Sequence, residues 1–529
     1  MKNNLFFTFA ASALASVVPS RANAEHPSGK EKGSKETKNV LMIAIDDLKP
    51  LLGCYGDSLA KTPNIDALAA EGTLFTSAYC QQAVSAATRA SLLTGMCPDR
   101  TGVWDLKTLI RKKNPDVVTL PQYFKNNGYE VAGIGKIYDP RSVDKNSDGV
   151  SWSQPYINYE SFLNSEYGKP VMAQYQDTQT KKLYRKYLAE AKEKGLEKKK
   201  DIDAYIQQFV KPSTECAQVP DNAYTDGAIA DGAVKFIEGY NADKPLFLAV
   251  GFKKPHLPFC APQEYWDLYK RDEMPLAQYR KRAENSPAYA YHNSSELKSY
   301  SDIPPVYSYT DIDNTILTDE KARELIHGYY ACVSYTDAQI GKVLAALDKK
   351  GMKENTIIVL WGDHGWHLGD HGLWNKHTNF ENATHVPMII IDPSSKARRV
   401  DSPVEFLSIY PTLCSLAGLE VPQGQDGEDL SGVVKGKKGA RVTAKYAASQ
   451  FPRGPRMGYS IRTERYRYTV WVDWKDRKLN AGKVDAEELY DYEKDPLETV
   501  NVAAKEEYAD ALKEMREYWE EYKNARIQK

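Results

Sequence analysis

The fold is decided by the stretch Val40-Leu41-Met42-Ile43-Ala44-Ile45-Asp46-Asp47. Six consecutive apolar residues predict a strand buried on both faces, as in a parallel sheet covered by helices. Similar apolar runs alternate with helix-like segments farther along the chain, at residues 131–134, 246–250, 357–360 and 388–391. This alternation predicts an α/β fold, with a large, mostly parallel sheet sandwiched by helices.

Two helices and a change of pattern near the C-terminus complete the expected organisation. Thr62, Pro63 and Gly72 indicate a helix over about 63–71, and an apolar stripe predicts a long helix over about 321–350. Residues 442–450, 458–462 and 466–472 are typical of antiparallel strands, and an apolar stripe over 508–522 predicts a closing helix. We therefore expect a catalytic domain at 38–437 and a smaller C-terminal α+β domain at 438–529.

The N-terminus has the composition of an export signal. A basic residue, an apolar run and a small-residue site ending at Ala24 predict a signal peptide at 1–24, followed by a polar tether at 25–37. No later run is apolar enough to span a membrane, so a periplasmic or secreted protein is expected. The net charge of -1 and the lack of a basic tract exclude general nucleic-acid binding. The seven cysteines lack paired spacing, so neither a zinc site nor a disulfide framework is indicated.

Polar side chains follow several of the predicted strands. Asp46 and Asp47 end the first strand, Asp363 and His364 follow 357–362, and Lys136 follows 131–135. His256 comes shortly after the strand at 246–251. Ligands gather at the carboxyl ends of strands in open α/β sheets, and three converging carboxylates favour a hard divalent cation such as calcium. Taken singly, each residue has another interpretation: a helix cap, a structural histidine or a solvated lysine.

The most specific motif is Ser85-Ala86-Ala87-Thr88-Arg89, followed by Leu93-Thr94-Gly95. It puts a hydroxyl group at the start of a short helix, where backbone N–H groups and the helix dipole favour an anion. The alternative interpretation is an ordinary serine-rich helix start.

This motif resembles the sulfatase signature, in which a Cys or Ser is oxidised to formylglycine. The sulfatase family has an alkaline-phosphatase-like fold, and the remaining strand-end residues follow its active-site order, with Lys376 last. Several segments are similar to the iduronate-2-sulfatase branch: Lys254-Pro255-His256, Asp363-His364-Gly365-Trp366, Ala383-Thr384-His385-Val386-Pro387 and Met457-Gly458-Tyr459-Ser460.

The resemblance implies a role for each matching residue. Asp46, Asp47, Asp363 and His364 would hold Ca²⁺ together with the formylglycine made from Ser85. Arg89 and Lys136 would orient the modified residue, and His256 and Lys376 would contact the sulfate and the departing sugar oxygen. Asp139 and Trp366 would bind substrate. The expected reaction is hydrolysis of a sulfate ester on a sulfated oligosaccharide, with exo action.

The sequence departs from the family pattern at two places. Ala87 and Thr88 replace the commoner Pro and Ser of the signature, and serine at position 85 implies maturation by a radical-SAM enzyme. Asp139 stands where family members usually carry His, and an anion there would repel sulfate unless it pairs with a cation or accepts sugar hydroxyls.

Two other functions remain open from the sequence. The first is a phosphatase or phosphodiesterase of the same superfamily, which would use two zinc ions. The second is an inactive protein that binds sulfated glycans and whose Ser85 is never oxidised.

Overall fold

The computed structural model describes residues 37–158, 161, 169–304 and 317–527. The predicted signal peptide and the tether up to residue 36 lie outside the described residues. The strands, in chain order, are β1 (Asn39–Ile45), β2 (Thr73–Tyr79), β3 (Glu130–Gly135), β4 (Thr214–Ala217), β5 (Leu246–Phe252), β6 (Phe259–Pro262), β7 (Thr356–Gly362), β8 (His367–Leu368), β9 (Trp374–Asn375), β10 (His385–Ile391), β11 (Arg398–Val400), β12 (Val404–Glu405), β13 (Ala447–Arg453), β14 (Arg456–Arg462), β15 (Tyr466–Asp473) and β16 (Asn480–Asp491).

The α-helices lie mainly between the strands of the first sheet. They are α1 (Pro63–Glu71), α2 (Ser85–Thr94), α3 (Pro98–Thr101), α4 (Ile110–Lys113), α5 (Leu120–Asn126), α6 (Thr178–Glu193), α7 (Lys199–Gln207), α8 (Thr225–Gly239), α9 (Gln263–Trp266), α10 (Asp319–Lys349), α11 (Glu381–Thr384), α12 (Ile409–Leu416), α13 (Ser431–Val434) and α14 (Ala509–Tyr522). The predicted helices α1, α10 and α14 are confirmed to within two residues.

The first sheet has the order β11-β2-β10-β7-β1-β5-β3, with β12 also paired to β2. All of its pairings are parallel except those of β10, which runs antiparallel to both β7 and β2. Alternate residues of β1 face two apolar cores. One core contains residues of α1, α8 and α10, and the other contains residues of α2, α5 and α12. The predicted sandwich of a mostly parallel sheet between helices is therefore confirmed.

Strand β2 was not predicted from the sequence. Two polar residues, Thr76 and Ser77, interrupt its apolar run, and they are the half-buried positions of an otherwise buried strand. Pairing with β10 on one side and with β11 and β12 on the other satisfies the β2 backbone, so tertiary contacts outweigh the local pattern.

The C-terminal region forms a second sheet, β13-β14-β15-β16, which is antiparallel throughout. Residues of α14 pack on it through Leu512, Met515, Trp519 and Tyr522. Strand β16 was not predicted because its sequence is mostly polar, and it is held by its ladder to β15. The boundary at residue 438 stays a prediction.

The seven cysteines all lie in the described part of the chain and are free thiols. Among the helices that the structure describes, none is both long and apolar enough to cross a bilayer.

Candidate active site

An acidic cluster, defined here as Asp46, Asp47, Asp363 and His364, lies at the carboxyl edge of the first sheet. The first pair follows β1 and the second follows β7, and these strands are adjacent because Ile45 pairs with Gly362. Each of the four side chains is fully buried and offers a ligand atom, and these atoms lie within 4.8 Å of one another. The parallel register of two buried strands therefore builds a group able to hold a metal ion.

Asp47 adopts an uncommon backbone conformation, with φ at 61°. Its N–H donates to Asp363 Oδ1 at 2.9 Å, and its carbonyl oxygen accepts from the hydroxyl of Tyr329 in α10 at 2.7 Å. A left-handed conformation is unfavourable for a residue with a side chain and persists where the surroundings fix it. These two hydrogen bonds hold the Asp47 carboxylate against the other members of the acidic cluster.

Ser85 is the first residue of α2, so the predicted helix start is confirmed. Its Oγ donates to Asp46 Oδ1 at 3.0 Å and lies 3.1 Å from His364 Nε2. The side chain is enclosed, since Ser85 is 4% exposed. The hydroxyl of the signature motif thus lies directly against the acidic cluster.

Two cations hold the same carboxylates from the opposite side. Arg89 donates through Nε to Asp363 Oδ2 at 2.9 Å and through Nη2 to Asp46 Oδ1 at 3.1 Å. Lys136 Nζ lies 2.5 Å from Asp46 Oδ2. Burial alone would raise the pKa of Asp46, but Lys136, His256 and Arg89 hold it well below its usual value. Asp46 is therefore ionised.

Gly135 explains how Lys136 reaches the cluster. It has φ of 85°, and a Cβ there would lie 2.1 Å from the carbonyl oxygen of Gly251 on β5. Only glycine accommodates both the conformation and the close approach. The Gly135-Lys136 pair is thus a backbone requirement of the site.

His256 and Lys376 meet at a residue that sequence reasoning missed, Glu296. Lys376 Nζ lies 3.0 Å from Asp47 Oδ2 and 2.9 Å from Glu296 Oε2. His256 Nδ1 donates to the carbonyl oxygen of Leu257 at 2.6 Å, and His256 Nε2 lies 3.1 Å from Glu296 Oε1. No motif marks Glu296, because it belongs to an irregular loop and not to a strand end.

Negative charge exceeds positive charge in this site. Among the described residues that it contains, four carboxylates (Asp46, Asp47, Asp363, Glu296) face three permanent cations (Arg89, Lys136, Lys376). The pKa of Asp47 is raised well above its usual value, first by burial and then by its neighbouring carboxylates, although Lys376 opposes this. A bound cation would relieve this repulsion, so the residues present fit a metal ion.

A second group with metal-ligand geometry consists of Asp47, His256 and Glu296. Lys376 Nζ already contacts both carboxylates of this group. The ammonium group therefore supplies positive charge where a second metal ion would bind.

A cavity of about 210 Å³ opens beside the site. It is lined by the ionisable side chains of Asp46, Lys136, Asp139, Arg141, Lys253 and His256, among others. Asp139 is buried and accepts from Arg141 Nε at 2.9 Å and Nη2 at 2.8 Å. The charge of Asp139 is thus neutralised by Arg141 and does not face the cavity alone.

Trp366 is placed differently from the expectation that it binds substrate. It is 1% exposed, and its ring lies 4.8 Å from Lys376 Nζ. The indole face therefore supports the lysine ammonium through a cation–π contact and does not form an open wall of the cavity. The structure thus brings together every residue of the predicted site, with Trp366 behind Lys376.

Comparisons with known proteins agree with this geometry. The sulfatase family model matches residues 38–419, and a model described as N-sulphoglucosamine sulphohydrolase, C-terminal, matches residues 369–525. Iduronate 2-sulfatase of Mus musculus is 32% identical, over 90% of this chain and 93% of that protein.

Solved structures share the fold at lower sequence identity. A protein solved in complex with its substrate D-glucosamine-2-N,6-O-disulfate superposes with a TM-score of 0.68 and 21% identity, covering 92% of this chain and 98% of that chain. Phosphonate monoester hydrolase of Agrobacterium radiobacter superposes with a TM-score of 0.67 and 23% identity, covering 92% and 96%. The fold therefore does not distinguish sulfate from phosphonate esters. The match to the sulfatase family model and the 32% identity to an iduronate 2-sulfatase do distinguish them, in favour of sulfate esters. The chain belongs to the sulfatase family and is a sulfuric ester hydrolase.

Proposed function

We propose that the enzyme removes a sulfate ester from the terminal sugar of a sulfated oligosaccharide, in the manner of an iduronate 2-sulfatase. The observation that carries this proposal is the position of Ser85, hydrogen-bonded to the acidic cluster beside a cavity to which Lys136, Arg141 and Lys253 contribute positive charge. A volume of about 210 Å³ is small for a ligand site and favours one sugar residue over a continuous polymer. This size supports exo action.

The acidic cluster is proposed to bind Ca²⁺. Three carboxylates match the preference of a hard cation for oxygen ligands, and His364 contributes a nitrogen ligand that such an ion accepts less readily. When bound, calcium would polarise the oxygen at position 85. Arg89 would keep Asp46 and Asp363 oriented toward the ion.

Ser85 is proposed to be the residue converted to formylglycine, by a radical-SAM maturing enzyme. The hydrated aldehyde would supply one hydroxyl for attack on sulfur and a second whose deprotonation releases sulfate. Asp46 accepts a hydrogen bond from the oxygen at position 85, and His364 Nε2 lies at similar distance. Both side chains would be calcium ligands in the proposed site, so these contacts place the oxygen at position 85 beside the ion.

His256 and Lys376 are proposed to bind the sulfate and to assist departure of the sugar oxygen. Lys376 is held as a cation because Asp47 and Glu296 raise its pKa against the effect of burial. Burial lowers the pKa of His256 to about 3, so its ring is neutral, with the proton on Nδ1; Nε2 would have to take up a proton, which an arriving sulfate dianion favours, before it could protonate the sugar oxygen. Arg141, paired with Asp139, has a side chain 55% exposed and is available to a sugar carboxylate.

The expected location follows from the predicted signal peptide. We propose export to the periplasm or beyond, with cleavage after Ala24. Sequencing the N-terminus of the protein purified from its native source checks this, and an intact residue 1 contradicts it.

A second candidate activity is hydrolysis of phosphate or phosphonate esters, with which the fold shared with the Agrobacterium radiobacter enzyme is compatible. Elemental analysis separates the two: one calcium per chain supports the sulfatase site, and two zinc ions support the rival. An inactive glycan-binding protein would retain unmodified serine in the Ser85 peptide, which mass spectrometry detects directly.

The decisive experiment assays protein whose Ser85 peptide is fully converted, against a panel of sulfated disaccharides. We expect turnover of a 2-O-sulfated uronate at the non-reducing end and slower turnover of 4-O- or 6-O-sulfated sugars. Absence of turnover on every sulfated saccharide contradicts the proposal.

A further inference from the structure

Glu296 makes an unexpected contact pattern for a carboxylate in an anion-binding site. Its Oε2 lies 2.9 Å from Lys376 Nζ and its Oε1 lies 3.1 Å from His256 Nε2. One carboxylate thus engages both of the groups that the proposed function assigns to the substrate sulfate. The space beside Lys376 Nζ and His256 Nε2 cannot hold an arriving sulfate and the Glu296 carboxylate at the same time.

The position of the Glu296 carboxylate resembles the position expected of a bound sulfate group. Carboxylates and sulfates both present two oxygens along one edge, and charge-assisted hydrogen bonds to such an edge are among the stronger polar contacts. In Glu296 one edge oxygen contacts the Lys376 ammonium, and the other faces His256 Nε2, which donates only when the ring is protonated because Nδ1–H is bound to the Leu257 carbonyl oxygen. The carboxylate is therefore a chemical mimic of the sulfate edge.

The backbone around Glu296 is fixed, whereas its side chain is partly open. Leu297 is 1% exposed, and the Ser294 hydroxyl accepts from the N–H of Trp374 at 3.1 Å. The carbonyl oxygen of Glu296 accepts from the Ser299 hydroxyl at 2.7 Å. The Glu296 side chain itself is 21% exposed. Rotation of this side chain, without movement of the loop, would free His256 and Lys376.

We propose that Glu296 is an internal competitor for the sulfate position that limits retention of the inorganic product. This inference rests on the proposed roles of His256 and Lys376. Only molecules in which the Glu296 carboxylate has left the sulfate position can bind a sulfate group. The apparent Kd is therefore the intrinsic Kd divided by the fraction of such molecules. A sugar sulfate recovers that loss through contacts of the sugar, whereas free sulfate has no such contacts. Glu296 therefore weakens the binding of product and of ester by the same factor, which keeps free sulfate from occupying the site at concentrations where the ester, with its sugar contacts, still binds.

The test compares Glu296→Gln, which keeps the shape and removes the charge, with Glu273→Gln as a control. Glu273 pairs with Lys270 on the surface, so its substitution changes net charge equally outside the site. The first measurement is the Kd of inorganic sulfate, by calorimetry on calcium-loaded protein with unmodified Ser85. We expect Glu296→Gln to tighten sulfate binding about tenfold, as removal of a competitor present in about 90% of molecules would do.

The second measurement uses fully converted enzyme and a sulfated disaccharide. Glu296→Gln should lower KM and increase inhibition by free sulfate. Glu296→Ala covers the case in which the glutamine amide itself perturbs the site, and it should change both quantities in the same direction. An unchanged or weaker affinity for sulfate in both variants would overturn the inference. Failure of the proposed function is separate, because it would appear as a wild-type enzyme without turnover, whatever the sulfate affinities of the variants.

Discussion

Two regions of the molecule bury clusters of charged side chains, and the two clusters differ in the ratio of carboxylates to cations. The first is the candidate active site, where four carboxylates and the three permanent cations that contact them lie beside a cavity. The second, here called the Glu381 cluster, consists of Glu381, Glu498, Arg462, Arg467 and Tyr492. In the Glu381 cluster, two carboxylates face two guanidinium groups: Arg467 Nε lies 3.0 Å from Glu498, and Arg462 Nε lies 3.3 Å from Glu381.

The Glu381 cluster satisfies its charges internally. The backbone N–H of Glu381 donates to Glu498 at 3.0 Å, and the Tyr492 hydroxyl donates to the same carboxylate at 2.6 Å. It ties α11 of the first sheet region to β14 and β15 of the second sheet. Both the Glu381 cluster and the candidate active site therefore bury charged side chains. The candidate active site differs because its carboxylates outnumber the cations that contact them and because a cavity lies beside it.

The largest expected effect is on catalysis, when Ser85 in the candidate active site is replaced. Ser85→Ala should reduce kcat/KM for a sulfate ester by about 10⁴-fold or more, because the oxygen proposed to become the nucleophile is lost. The apparent Tm should change little, since the Ser85 hydroxyl contacts only Asp46 and His364 among side chains. Steady-state kinetics and thermal unfolding measure the two quantities. Substantial residual turnover would assign the reaction to another nucleophile.

A substitution in the Glu381 cluster should instead lower the stability and leave the activity of the folded protein unchanged. Arg467→Met leaves Glu498 without its buried cation and Glu381 with Arg462 alone, which should lower the free energy of unfolding by about 3–5 kcal/mol. The activity per folded molecule should be retained. As a control, Arg465→Met removes a more exposed pair with Asp491 and should leave the Tm nearly unchanged. Equal Tm values for the two variants would show that the Glu381 cluster is not a stabilising link.

Metal removal should affect only the active site. A ligand that binds the native state at 100 times its Kd stabilises it by about 2.7 kcal/mol, so a chelator should lower the Tm of wild type by several degrees. Asp363→Asn removes a member of the acidic cluster, and its Tm should no longer respond to calcium or chelator. A calcium-independent Tm in the wild-type protein would argue against a calcium site.

The smallest effect concerns pH and Glu498. Burial raises the pKa of Glu498 from 4.5 to about 7, with Glu381 adding to the shift and Arg467 opposing it. The folded state therefore holds this proton more tightly than the unfolded state does. Stability from Glu498 is fully present below pH 4.5 and is lost as the pH rises toward 7, by about 1–3 kcal/mol.

Glu498→Gln removes this titration. The difference in unfolding free energy between wild type and variant should therefore change between pH 5 and pH 8, and unfolding in denaturant at both pH values measures it. A difference that is the same at both pH values would mean that Glu498 is ionised throughout this range.

Much of the active site was predictable because parallel strands end at a common edge. Asp46, Asp47, Asp363 and His364 each follow a recognisable apolar run, so their proximity followed from the strand pattern. Ser85 and Arg89 were predictable from a local motif one helical turn long. Glu296 and the pairing of Asp139 with Arg141 were not, since both depend on the path of irregular segments.

The sequence by itself determined the sheet, the order of its catalytic edge and the sulfatase signature, because apolar periodicity and short motifs are local properties of the chain. Only the tertiary structure decided that β2 and β16 are strands, that Trp366 lies behind Lys376, and that Glu296 bridges His256 and Lys376. These features arise from contacts between residues far apart in sequence, whose energies no local pattern encodes.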